Sequence, residues 1–195
     1  PSLPPRSRRI PVIDVVRTEK VVGGVVVTTC ALEAAAVRSL ACDPDIELIA
    51  IRPHVLTLTA PDRSPSGPSW FVPDLVARRR DRSVLAVALL PSWERDRSDP
   101  VWATTERAVR AAYANAGVAF AVWTDWRLFA RQPRINHERM LRERAGEAGA
   151  ADLPRVLKAL GQMRYPTTVA AVHRRARLAL GRTLACLMEL ALAGS

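Results

Sequence analysis

The stretch from Ser83 to Thr124 limits the fold more than any other part of the chain. SVLAVALL is an apolar, β-rich run that reads as a strand buried on both faces. Ser98-Asp99-Pro100 then supplies a helix start with proline in the first turn, and the helix VWATTERAVRAAYANAG runs to Gly117. The strand VAFAVWT follows at once. A strand, a helix and a strand joined so tightly form a parallel crossover. Just upstream, WFVPDLVA is joined to SVLAVALL by the polar RRRDR, the pattern of a hairpin. Hairpin plus crossover gives a mixed sheet with helices packed against it, an α/β fold.

The remaining segments fit around that unit. Residues 1–11 are proline- and arginine-rich and read as a flexible tail. Segment 12–29 is β-branched and broken by glycines, which suits a strand pair or hairpin. Thr28 and Thr29 then precede CALEAAAVRSLAC, where Leu32, Ala36 and Leu40 recur at helical spacing beneath a threonine cap, so a helix of about three turns is expected to end at Asp43-Pro44. Residues 46–60 alternate around Pro53 as two short strands or one bent strand, and PDRSPSGPS is a turn region. Beyond Trp126 the composition turns helical, with candidate helices at 134–146, 153–162, 166–179 and 181–193. The expected organisation is the tail, an α/β domain over 12–131 and a small helical appendage over 132–195.

An apolar fraction of 49% over 195 residues is enough for one real core plus a small appendage. No segment has the roughly eighteen uninterrupted apolar residues of a membrane span, and PSLPPRSRRI lacks the apolar region of a signal peptide, so a cytoplasmic protein is expected. Twenty-nine basic residues against nineteen acidic give a formal charge of +10, and only Lys20 and Lys158 are lysines. A GC-rich genome would account for the preference for arginine over lysine as well as a phosphate-binding role does. It does not account for the net charge, which points to a polyanionic partner. Cys30, Cys42 and Cys186 have no zinc-like spacing, and His54, His137 and His173 are scattered, so reduced, buried thiols are expected. Trp70, Trp93, Trp102, Trp123 and Trp126 sit beside apolar runs and read as core or boundary residues.

Glu33 in ALEAAAVRSL, Asp43-Pro44-Asp45, Arg52-Pro53, Phe71-Val72-Pro73-Asp74-Leu75 and the strand LAVALLP over 85–91 occur in an order that resembles the TnsA family of transposon end-nicking endonucleases. That family has a glutamate on an early helix, an Asp-Pro turn, a Gln-Pro loop, a Pro-Asp-Phe strand and a strand ending in carboxylate or glutamine, any residue, lysine. The helix and strand of VWATTERAVRAAYANAGVAFAVWTDW extend the likeness past the active site. The resemblance implies a restriction-endonuclease-like sheet, a winged-helix-like C-terminal appendage, a bacterial cytoplasmic setting, DNA as substrate, and transposase or ATPase subunits as partners. It also implies that the sequence is either cut short or belongs to a C-terminal domain that ends early.

In such a nuclease, carboxylates on adjacent elements hold Mg²⁺, which stabilises charge on the phosphate and acidifies a water. A lysine two residues along the strand from its carboxylate partner shares that face and orients the water. Here Glu33 and Asp74 occupy retained positions and would be the metal ligands. Ala88 and Leu90 stand where the carboxylate or glutamine and the lysine belong. No charged residue lies between Ser83 and Ser92, so a shift of register does not restore them. Glu94, Arg95 and Arg52 are the nearby groups able to substitute.

Each candidate also has a plain reading. Glu33 fits an exposed helix flank. Asp74, between Val72 and Val76, is disfavoured in a strand unless paired, bound to metal or at an edge. Arg78, Arg79, Arg80 and Arg82 fit a solvated hairpin turn or a phosphate-contacting patch. His173, Arg174, Arg175 and Arg177 fit a solvated face or the DNA-facing side of a helix-turn-helix-like unit. Three functions follow: a cleavage-deficient TnsA-like subunit binding DNA and partner proteins, an active Mg²⁺-dependent endonuclease with a rearranged site, and an interaction module with no role at DNA.

Overall fold

The computed structural model describes residues 14–58, 70–95, 100–143, 149–164 and 166–194. The expected tail, the PDRSPSGPS turn and Ser98-Asp99 lie outside them. The chain opens with a hairpin of β1 (Asp14–Arg17) and β2 (Val25–Thr28), paired antiparallel. Its turn uses Gly23 and Gly24 at φ +84° and +72°, values that suit glycine. Helix α1 (Ala31–Cys42) follows. Its N-cap is Cys30, whose Sγ accepts the Glu33 amide, so the expected threonine cap is displaced by one residue. Of the thiols, Cys42 and Cys186 are buried and Cys30 is exposed. Burial pushes the Cys42 thiol up to about 11.

After α1 come β3 (Ile46–Ile51), the short pair β4 (Leu56–Thr57) with β5 (Trp70–Phe71), then β6 (Leu75–Arg79) and β7 (Val84–Leu89). The main sheet runs β3-β6-β7-β8 and is mixed: β3, β6 and β7 are antiparallel neighbours, while β8 (Ala119–Trp123) lies parallel to β7. Between β7 and β8 stand α2 (Ser92–Arg95) and α3 (Pro100–Asn115), and Gly117 at φ +70° ends the return.

β7 lies inside the sheet, which is why VLAVAL is apolar at every position. Leu85 and Val87 face α1 in a core with Val37, Leu40, Ile49 and Leu75. Ala86 and Ala88 face α3 in a second core with Val109, Tyr113 and Phe120. Burying each larger aliphatic chain contributes about 1.5–3 kcal/mol, so the two layers fix the sheet between the helices.

Beyond β8 the described chain is helical: α4 (Asp125–Leu128), α5 (Arg131–Glu143), α6 (Leu153–Gly161), α7 (Val169–Ala176) and α8 (Leu180–Ala193). α5 starts three residues before the expected boundary because Pro133 falls in its first turn, where proline is tolerated. α7 is shorter than expected, since Arg177 adopts the left-handed conformation (φ +52°) and ends it. A third core of Val156, Val172, Ala176, Leu178, Cys186 and Leu190 joins α6, α7 and α8. No helix of the described residues is long and apolar enough to cross a membrane.

Candidate functional site

Arg52 is the residue around which the site is built. It follows the last residue of β3 at φ +44°, a left-handed conformation that costs a non-glycine residue about 1–3 kcal/mol. Its backbone N–H donates to the Asp74 carbonyl at 3.1 Å, which fixes the β3 end beside the start of β6. Its guanidinium donates to Glu33 Oε1 at 2.8 Å.

Glu33 lies in the first turn of α1 and is 2% exposed, so the exposed-flank reading is corrected. Its second oxygen accepts from the Thr29 N–H at 2.7 Å and the Thr29 hydroxyl at 3.0 Å. A buried carboxylate persists only with such compensation, and the positive end of the helix adds to it. Asp74 sits immediately before β6, not inside a strand. Its N–H donates to the Val87 carbonyl, and Oδ2 accepts from the Leu89 N–H at 2.7 Å. The structure therefore brings Glu33 and Asp74 to a common partner, Arg52.

Ala88 is 3% exposed and packs in the core beneath α3. Leu90 is half-buried, and its N–H donates to the Trp123 carbonyl at 2.9 Å. Lys20 donates to the Asp43 carbonyl and Lys158 lies exposed on α6, so neither lysine replaces the missing one. Glu94 is exposed on α2, and the Arg95 side chain lies outside the described residues. No group of three or more His, Cys, Asp or Glu among the described residues is placed to hold a metal ion. With one Glu33 oxygen on Arg52, the other on Thr29, and alanine at the position where the resemblance would put a third ligand, this set does not fit a resident Mg²⁺. Two residues beyond Arg52, His54 Nε2 meets the Tyr113 hydroxyl of the α3-side core at 2.9 Å, and burial pushes that phenol up to about 12, so it is a neutral hydrogen-bonding group.

The arginine cluster of the hairpin is not one open patch. Arg78 pairs with Glu47 at 3.0 Å, and Arg79 reaches the Ser83 hydroxyl at 3.5 Å. Arg80 donates to the Pro44 and Ala193 carbonyls and ties the hairpin to the end of α8. Arg82 is exposed at φ +67° in the turn itself. On α7, Arg174 is exposed and Arg175 binds the Gln162 side-chain oxygen at 3.1 and 3.2 Å. Arg177, Leu178 and Ala179 form a three-residue turn between α7 and α8, as in a helix-turn-helix. The arginines fall on its first helix, whereas the second carries mostly apolar residues.

The sequence did not reveal a cleft beyond the β7 and β8 ends, walled by Ser92, Asp125, Trp126, Phe129 and Ala130. Ser92 donates to Asp125 through its N–H (2.8 Å) and hydroxyl (3.1 Å), joining α2 to α4. Trp126 is 80% exposed and Phe129 40%, while Trp123 is buried, so the tryptophans do not behave alike. The available signal was the pair Ser92 and Asp125 placed directly after two parallel strands. No family model matches the chain, and no curated protein matches it significantly in sequence.

Proposed function

We propose that this protein is a TnsA-like, cleavage-deficient subunit of a DNA transposition or mobile-element complex, which contacts DNA and docks transposase or ATPase subunits in the bacterial cytoplasm. The observation that carries the reading is the ion pair by which Arg52 occupies the buried Glu33 carboxylate, at the point where the Arg52 backbone is tied to the Asp74 carbonyl. A restriction-endonuclease-like core of this kind needs an early helix, antiparallel strands, a helix and a returning strand. Here α1, β3-β6-β7, α3 and β8 follow in that order.

In this reading a guanidinium compensates Glu33 in place of a metal ion, and the apolar Ala88 and Leu90 leave no partner to activate a water. The formal charge of +10 supports a polyanionic ligand. The internal engagement of Arg78, Arg79 and Arg80 favours a second reading, an interaction module in which DNA has no part. Gel retardation of a linear duplex across a salt series separates the two. Binding that weakens steeply with salt and is indifferent to Mg²⁺ or EDTA is expected; absence of binding at low salt would leave the interaction module.

A further inference from the structure

The cleft beyond β7 and β8 is where the open end of the sheet meets solvent. The carboxyl ends of strands in an open α/β sheet are the usual place for a ligand. Leu90, at the lost lysine position, lies only two residues before Ser92, which walls the cleft.

Its construction suits a flat aromatic ligand. The cleft has a volume of about 350 Å³, and Trp126, Phe129 and Ala130 make it mainly apolar. Trp126 leaves 80% of its surface open, an unusual exposure for the largest apolar side chain. Trp123, two residues before α4, is buried, and the Arg127 guanidinium stacks over its ring at 4.5 Å. Asp125 is clamped by both donors of Ser92. Burial acts to raise the Asp125 carboxyl, but the hydrogen bonds from Ser92 and the Trp126 backbone outweigh it and hold the group below the usual range. It is therefore an ionised structural clamp whose two oxygens already accept the Ser92 donors.

Arg127 follows Trp126 in the chain and is exposed, its guanidinium lying over the Trp123 ring, and the exposed Arg134 stands one helical turn beyond Ala130, to whose carbonyl its backbone N–H donates. Glu94 on α2 is the exposed acid nearest in sequence to Ser92. An open aromatic face with exposed arginines close to it in the chain suits an unpaired base whose phosphates are met by cations.

We infer that the Trp126 cleft is a stacking site for an unpaired nucleobase, which gives the protein a preference for single-stranded or locally melted DNA beside its vestigial centre. The inference rests on the DNA-binding reading above. Its test measures anisotropy of a labelled 20-nucleotide poly-dT strand and of a blunt duplex of equal length at low salt, with wild type, Trp126→Ala and Trp126→Phe.

Trp126→Ala is expected to weaken single-strand binding about tenfold, in line with the loss of one stacked base, while duplex affinity stays within about twofold. Trp126→Phe is expected to recover most of the loss, since it restores an aromatic face. Unchanged single-strand affinity in Trp126→Ala, alongside intact wild-type DNA binding, overturns the stacking site and leaves the DNA-binding reading standing. Equal losses on both ligands also overturn it. If wild type binds neither ligand, both readings fall and the cleft passes to a protein partner.

Discussion

Arg52 holds Glu33: a guanidinium nitrogen lies 2.8 Å from a carboxylate oxygen that is almost wholly withdrawn from solvent. The pair joins the first turn of α1 to the end of β3, elements nineteen residues apart. Its energy is asymmetric, because removing one partner strands the other, whereas neutralising both removes the charge along with the contact.

Arg52→Gln is therefore expected to destabilise the fold by about 2–3 kcal/mol, below the figure for a fully buried pair because the Arg52 side chain is 37% exposed. The double variant Arg52→Gln with Glu33→Gln should recover at least half of that loss. Urea melts of the three variants and the wild type check this, and equal instability of the single and double variants would show that the charge is not the cause.

Ala88→Glu tests whether a carboxylate can be placed at the position where the proposed nuclease ancestry would have had a ligand. Ala88 lies in the layer with Val109, Tyr113 and Phe120, so a glutamate there buries a carboxylate that has no partner. A loss of more than about 3 kcal/mol is expected, with no gain of nicking. Thermal denaturation gives the first quantity and a supercoiled-plasmid assay the second.

The basic residues should separate into two kinds. Arg174→Ala removes an exposed side chain and is expected to weaken DNA binding by about 0.5–1 kcal/mol whatever the DNA sequence, with a shallower salt dependence and an unchanged melting temperature. Arg80→Ala removes the donor to Pro44 and Ala193 and should lower the melting temperature by several degrees while leaving DNA affinity within about twofold. A reversal of these effects would place the DNA face on the hairpin.

Burial lowers the His137 imidazole below its ordinary value. Between that lowered folded value and about 6.5, the unfolded chain binds the extra proton, so stability is fully present above about pH 6.5 and falls as the pH drops through the window. Melting temperatures of wild type should decline from pH 7.5 to pH 5, and His137→Gln should flatten the decline. The Asp125 carboxyl, held low, contributes only in more acidic solution.

Much of the sheet was legible in the sequence because its signals are local. RRRDR between two β-rich runs specified the β6-β7 hairpin, and the passage through Gly117 into VAFAVWT specified the parallel return. The burial of Glu33 was not legible, since its cause is an arginine brought in by tertiary folding. The one-turn helices α2 and α4 were equally hidden: four residues are too few to show a helical period. The tryptophans were judged alike from their apolar neighbours, yet adjacent turns set Trp123 inward and Trp126 outward. The end of α7 at Arg177 gave no warning either, because arginine rarely takes the left-handed conformation that stops the helix there.

The most direct test of the central claim is a supercoiled-plasmid nicking assay with Mg²⁺ or Mn²⁺, run on wild type and Asp74→Ala with DNA retardation recorded on the same samples. Retarded but uncut plasmid is expected for both proteins. Metal-dependent nicking by wild type that disappears in Asp74→Ala would contradict it and establish a working nuclease centre.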